Sequence, residues 1–66
     1  MCLSKVYLEN KKEEDLVGEE VARITREGES LLVRDLLGES RVMENCFVRE
    51  INFMDNFVIL GRKQEG

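Results

Sequence analysis

The stretch Glu19-Glu20-Val21-Ala22-Arg23-Ile24-Thr25-Arg26-Glu27-Gly28-Glu29-Ser30-Leu31-Leu32-Val33-Arg34-Asp35-Leu36-Leu37 decides the fold, because it admits two periods. At a period of 3.6, Val21, Ile24, Leu31, Leu32 and Leu36 approximate the stripe of one long amphipathic helix. At a period of 2 it divides into two strands, Glu20 to Arg26 and Ser30 to Leu37, separated by Glu27-Gly28-Glu29. Gly28 would cost the helix about 1 kcal/mol against alanine. In a turn the same glycine reaches positive φ without a steric penalty. Val33, followed by Val42, Val48, Val58 and Ile59, adds the β-branched content that strands favour. The strand reading is therefore preferred. A short helix stays open for Glu20 to Arg26, whose residues alternate only imperfectly around Val21 and Ile24.

Working outward, a first strand is expected from Cys2 to Leu8, with Cys2, Ser4, Val6 and Leu8 on one face and Leu3, Lys5 and Tyr7 on the other. The seven polar residues Glu9 to Asp15 read as a solvated connection. Leu37-Gly38-Glu39 is a turn before Arg41 to Glu44. Phe47 to Asn52 is a further strand, and Asp55-Asn56 is a tight turn into Phe57-Val58-Ile59-Leu60, closing a hairpin. Gly18, Gly28 and Gly38 recur at the spacing of strand plus turn. The expected fold class is all-β: five or six short antiparallel strands in a small barrel, whose closure removes exposed edges. One domain spans 1–66, with the first strand in 1–8 and a C-terminal tail over 61–66.

With 66 residues, such a domain buries only roughly 60% of its unfolded surface and gains from a partner subunit, so a homodimer is expected. Apolar residues at 42% and charged residues at 36% suit a folded core under a solvated surface. A net charge of −4, with basic residues from Lys5 to Lys63 interrupted by acids, weighs against general nucleic-acid binding. Met1 to Lys5 lacks the apolar core of a secretory signal, and no run approaches the ~20 apolar residues of a membrane span. Two cysteines in that setting read as reduced thiols in the cytoplasm. Histidine is absent, removing the usual general base, and Ser4, Ser30 and Ser40 have no nucleophile signature. An enzyme is not expected. Glu13, Glu14 and Asp15 are a hydrated loop without calcium-loop spacing.

Cys2 is the residue whose position carries chemistry. With Met1 retained, the terminal amine, the deprotonated Cys2 amide nitrogen and the Cys2 thiolate can occupy three corners of a square plane. With Met1 removed, the amine and thiolate of Cys2 form a bidentate site. Either set suits nickel(II) or copper(II) better than magnesium or calcium. The alternative is that Cys2 is a small strand-initiating hydrophobe. Cys46 reads as a buried structural thiol, with a second-ligand role as its alternative. Tyr7, Phe47, Phe53 and Phe57 read as core or interface rather than as a stacking platform for single-stranded RNA.

The opening Met1-Cys2-Leu3-Ser4-Lys5-Val6-Tyr7, together with Val33-Arg34-Asp35-Leu36-Leu37-Gly38-Glu39, Val48-Arg49-Glu50-Ile51-Asn52 and Val58-Ile59-Leu60, resembles the CooT family of small nickel-binding proteins. The resemblance spans almost the whole chain, and its most specific element is the cysteine directly after the initiator methionine. It implies an SH3-like or Sm-like barrel, a homodimer, and nickel(II) bound through Cys2, with backbone of Met1 and Leu3 completing or orienting the site. It also implies a metalloenzyme client, carbon monoxide dehydrogenase for the type member. The wider group carries a predicted RNA-binding label, so an Sm-like RNA-binding module is the second reading and a metal-free interaction domain the third. Cys46 matches no motif of the family.

Overall fold

Val6 and Leu60 have no solvent exposure at all, and the strands that carry them are neighbours inside the sheet, neither of them an edge. The computed structural model describes residues 3–63. Its strands are β1 (Ser4–Leu8), β2 (Leu16–Glu27), β3 (Ser30–Asp35), β4 (Ser40–Glu44), β5 (Cys46–Asn52) and β6 (Phe57–Arg62), with one 3-10 turn at Glu13–Asp15. They form a single sheet in the order β4-β3-β2-β1-β6-β5. The all-β class holds, and the helix over Glu20 to Arg26 does not form. No helix among the described residues is long and apolar enough to cross a membrane.

β1 pairs antiparallel with β2 and parallel with β6, where Val6 registers with Val58 and Leu8 with Leu60. The expectation of purely antiparallel strands is thus corrected at one pair. Local period says nothing about the direction in which the first and last strands meet, and parallel neighbours need a long connection, which the intervening chain supplies.

The remaining turns follow from their residues. Gly28, at φ 65, opens the two-residue β2–β3 turn. Asp35 Oδ1 accepts the N–H groups of Leu37 (3.0 Å) and Glu39 (2.9 Å), and this ends β3 two residues earlier than expected. Gly18, in contrast, sits inside β2, where a Cβ would lie 2.9 Å from Val21 Cγ2. It marks close packing within the sheet and no turn. At the C-terminus β6 continues to Arg62, two residues into the segment expected to be a tail.

The barrel does not close. β4 and β5 are the two edges of the sheet, yet only Asn45, at φ 56, separates them along the chain. One residue is too short for a two-residue hairpin, so β5 leaves β4 and pairs with β6 instead. The sheet must curl for its opposite edges to meet at this corner, which the Lys63 N–H ties by donating to the Asn45 carbonyl at 2.7 Å. The result is a curled, open sheet.

Its concave side holds Val6, Val21, Leu31, Val33, Cys46, Val58 and Leu60, with Leu8, Val17, Ile24 and Met43 packed against them. The other face of β1 is covered as well: the Tyr7 and Phe57 rings meet edge to face at 6.3 Å, and Lys11 Nζ lies 4.3 Å from the Phe57 ring centre. Phe53 departs from the core reading, being 87% exposed at the β5–β6 turn beside Met54 at 93%.

Candidate functional site

Asn56 fixes the start of the described chain. It ends the β5–β6 turn, in which Asn52 Oδ1 accepts the Asp55 N–H at 2.7 Å, and its backbone sits at φ 60. Asparagine tolerates this left-handed conformation better than most residues. Its side chain there faces the N-terminal segment. Nδ2 donates to the Leu3 carbonyl, and Oδ1 accepts the Ser4 hydroxyl at 2.9 Å. Its backbone carbonyl accepts the Lys5 N–H at 3.4 Å. Three successive residues are therefore held by one, and at Lys5, which registers with Phe57, the parallel ladder begins.

Of the residues expected to hold a metal, Met1 and Cys2 lie outside the described residues, while Leu3 is half-buried. The Leu3 carbonyl is engaged by Asn56. A shallow cleft of about 350 Å³ opens beside it, lined among others by Leu3, Lys5, Lys11, Glu19 and Asp55. Its charges are mixed. Among the described residues no group of three or more Asp, Glu, Cys or His side chains converges as a metal cage.

Cys46 is elsewhere. It is buried in the core, its thiol donates to the Glu44 carbonyl at 3.4 Å, and it registers with Arg62 at the far end of β6. Leu3 adjoins the Phe57 end, five residues away, or about 16 Å at roughly 3.3 Å per residue. The burial of Cys46 is the one the first reading expected.

Glu9, expected in a solvated connection, is a second anchor. At φ 72 it leaves β1, and its Oε1 accepts the Arg62 N–H at 2.7 Å. Arg49 donates to its Oε2 at 2.9 Å and to its carbonyl at 3.0 Å. The Arg62 N–H foremost, and then the Arg49 guanidinium, hold its carboxyl below the usual range. Sequence reading passed over both anchors. Asn56 contacts residues 52 and 53 positions away, and Arg49 and Arg62 lie 40 and 53 positions from Glu9. The only local signal was an Asn at the end of a turn.

The basic residues do not form a stripe. Arg23 and Arg34 are cross-strand neighbours, with Arg34 Nε donating to Ser40 Oγ at 3.1 Å, whereas Arg49 and Lys63 are paired with Glu9 and Glu29.

Fold and site together define a small all-β domain whose first strand is pinned at its base by a turn asparagine. The chain belongs to the CooT family: the family described as CO dehydrogenase accessory protein CooT matches residues 1–61. In fold it is similar to the crystal structure of a protein assigned as CooT from Carboxydothermus hydrogenoformans, at 21% identity and a TM-score of 0.79, covering 96% of this chain and 100% of that one. At that identity the likeness is one of fold. No curated protein matches the chain. The family resemblance read from the sequence is thereby established, and the family is one of accessory proteins rather than catalysts.

Proposed function

We propose that this protein is a cytoplasmic accessory protein that carries nickel(II) as cargo on its N-terminus, through the Cys2 thiolate, for delivery to a metalloenzyme. The observation that carries the reading is the Asn56 clasp: Leu3 and Ser4, the two residues directly after Cys2, are hydrogen-bonded to one side chain rooted in a turn. Membership of a CO dehydrogenase accessory family supports the same direction. The donor set fits the ion, since amine or amide nitrogen and thiolate suit nickel(II) and its tetragonal preference.

In this reading the chain supplies three things. Cys2 supplies a thiolate, with backbone nitrogen of Met1 or of Cys2 itself beside it. Leu3, held through its carbonyl, orients that segment. The sheet supplies a rigid base. Thiol and amine must lose protons to bind, so affinity falls as pH drops.

The protein acts as a homodimer. Supporting this are the two uncovered sheet edges, β4 and β5, and the large exposed side chains Leu37, Phe53 and Met54 on so small a domain. Nickel titration of reduced, tag-free protein with its native N-terminus, beside Cys2→Ser, tests the central reading.

A further inference from the structure

We infer that two copies of this chain meet through the outer face of β2, β3 and β4, with the arginines of each copy set against the carboxylates of the other. The inference rests on the reading of the protein as a homodimer, and it assigns that dimer a surface and a two-fold axis.

Strand register builds this face. Successive residues of a strand point to opposite sides of the sheet, and cross-strand partners share a side. Leu31 and Val33 belong to the core, so Leu32 and Arg34 lie on the outside of β3. Arg34 registers with Arg23, and Leu32 with Val42. Two residues further along, Glu27 and Glu44 both register with Ser30. The face therefore runs from a cationic row through an apolar one to an anionic one, the charged rows about 13 Å apart at roughly 3.3 Å per residue. A single chain leaves this arrangement unsatisfied. Arg23 and Arg34 are like charges directly opposite each other, which is destabilising. The ion pairs among the described residues join Arg49 to Glu9 and Lys63 to Glu29 and use neither of these arginines. Val42, between the charged rows, is 58% exposed. A second copy satisfies all three residues at once. A two-fold axis along the apolar row sets Leu32 and Val42 on their counterparts, Arg23 over the partner's Glu27, and Arg34 between the partner's Glu27 and the partner's Glu44. An axis along the strands would set arginine on arginine. The face is thus complementary to itself in one orientation, and this charge match points to a second copy as the occupant.

Sedimentation equilibrium of the full, metal-free chain reads the dimer dissociation constant, and circular dichroism checks the fold of each variant. Arg23→Glu with Arg34→Glu makes the charged rows wholly acidic, and Glu27→Arg with Glu44→Arg makes them wholly basic. Each double variant alone should dimerise ~10- to 100-fold more weakly than wild type, because like charges then meet across the axis. An equal mixture of the two should recover dimers, as heterodimers, at wild-type strength. Arg23→Glu alone should also weaken the dimer. Its strand lies two positions inside the β4 edge, about 10 Å away, where edge-to-edge pairing along β4 would not reach it. Should a double variant unfold, Arg23→Glu and Glu27→Arg, singly and mixed, carry the same test. Wild-type dissociation in the folded variants, or weakening of both without recovery on mixing, overturns this face and leaves a dimer built on other surfaces standing. A wild type that stays monomeric at tens of micromolar ends the homodimer reading and this inference with it.

Discussion

Arg49 holds Glu9 at two points, its Nη2 on Oε2 at 2.9 Å and its Nη1 on the Glu9 carbonyl at 3.0 Å. With the Arg62 N–H on Oε1, this ties the end of β1 to both β5 and β6. The folded state therefore favours the Glu9 anion, and its carboxyl titrates below the ordinary 4.5. A group with a depressed folded value contributes its stability fully above the unfolded value and loses it as pH falls through the folded one. Glu9→Gln is expected to lower the unfolding midpoint at neutral pH, with the gap to wild type closing as pH falls below 4.5. Thermal unfolding followed by circular dichroism across a pH series measures it. A gap that stays constant would mean that Glu9 does not act through its charge.

Leu60 is fully buried on β6, between β1 and the edge strand β5, and Phe53 is almost fully exposed. Leu60→Ala should cost about 2–5 kcal/mol, a large share of the ~5–15 kcal/mol typical of small proteins. Phe53→Ala should stay within about 0.5 kcal/mol for the isolated fold. Urea unfolding of the two variants gives the comparison. Similar losses for both would mean that Phe53 is buried in the folded protein.

The turns at Gly28 and Gly38 were legible because each rests on one residue and its immediate neighbours. Strand β2 was less so, and the reason is a bulge. Val21 registers with Asp35 and Arg23 with Arg34, leaving Ala22 as the extra residue. This puts Val21 and Ile24, three apart, against the same core. Three-residue spacing imitates a helix, and only the bulge reconciles it with a strand. The same happens in β5, where Val48 registers with Leu60 and Ile51 with Val58 across a bulge at Arg49. The open edge between β4 and β5 was illegible for a different reason: closure depends on where non-adjacent strands pair, which local pattern does not encode. At the site, Cys2 stood out by position. Asn56 did not, because its partners are distant in sequence.

The proposed homodimer would cover edge strands and exposed apolar side chains of this small domain. Sedimentation of the metal-free protein at tens of micromolar should give the mass of a dimer. A stable monomer at that concentration would contradict it.

The RNA reading predicts a different response. With a net charge of −4 and Arg49 and Lys63 already paired with carboxylates, the surface lacks a continuous basic field. Binding to generic single-stranded RNA should be weaker than about micromolar at physiological salt. Fluorescence anisotropy over a salt series measures it. Submicromolar binding with a steep salt slope, lost on replacing Arg23, Arg26 or Arg34, would favour RNA over nickel.

The most direct test of the central claim is nickel titration of freshly reduced, tag-free protein with a native N-terminus, in parallel with Cys2→Ser and Cys46→Ser. The wild type should bind nickel stoichiometrically with affinity that falls as pH drops, since the proposed thiolate and amine donors must lose protons to bind. Cys46→Ser, altered only in the core, should bind as the wild type does, and Cys2→Ser should bind none. One nickel per site at wild-type affinity in Cys2→Ser would contradict the account.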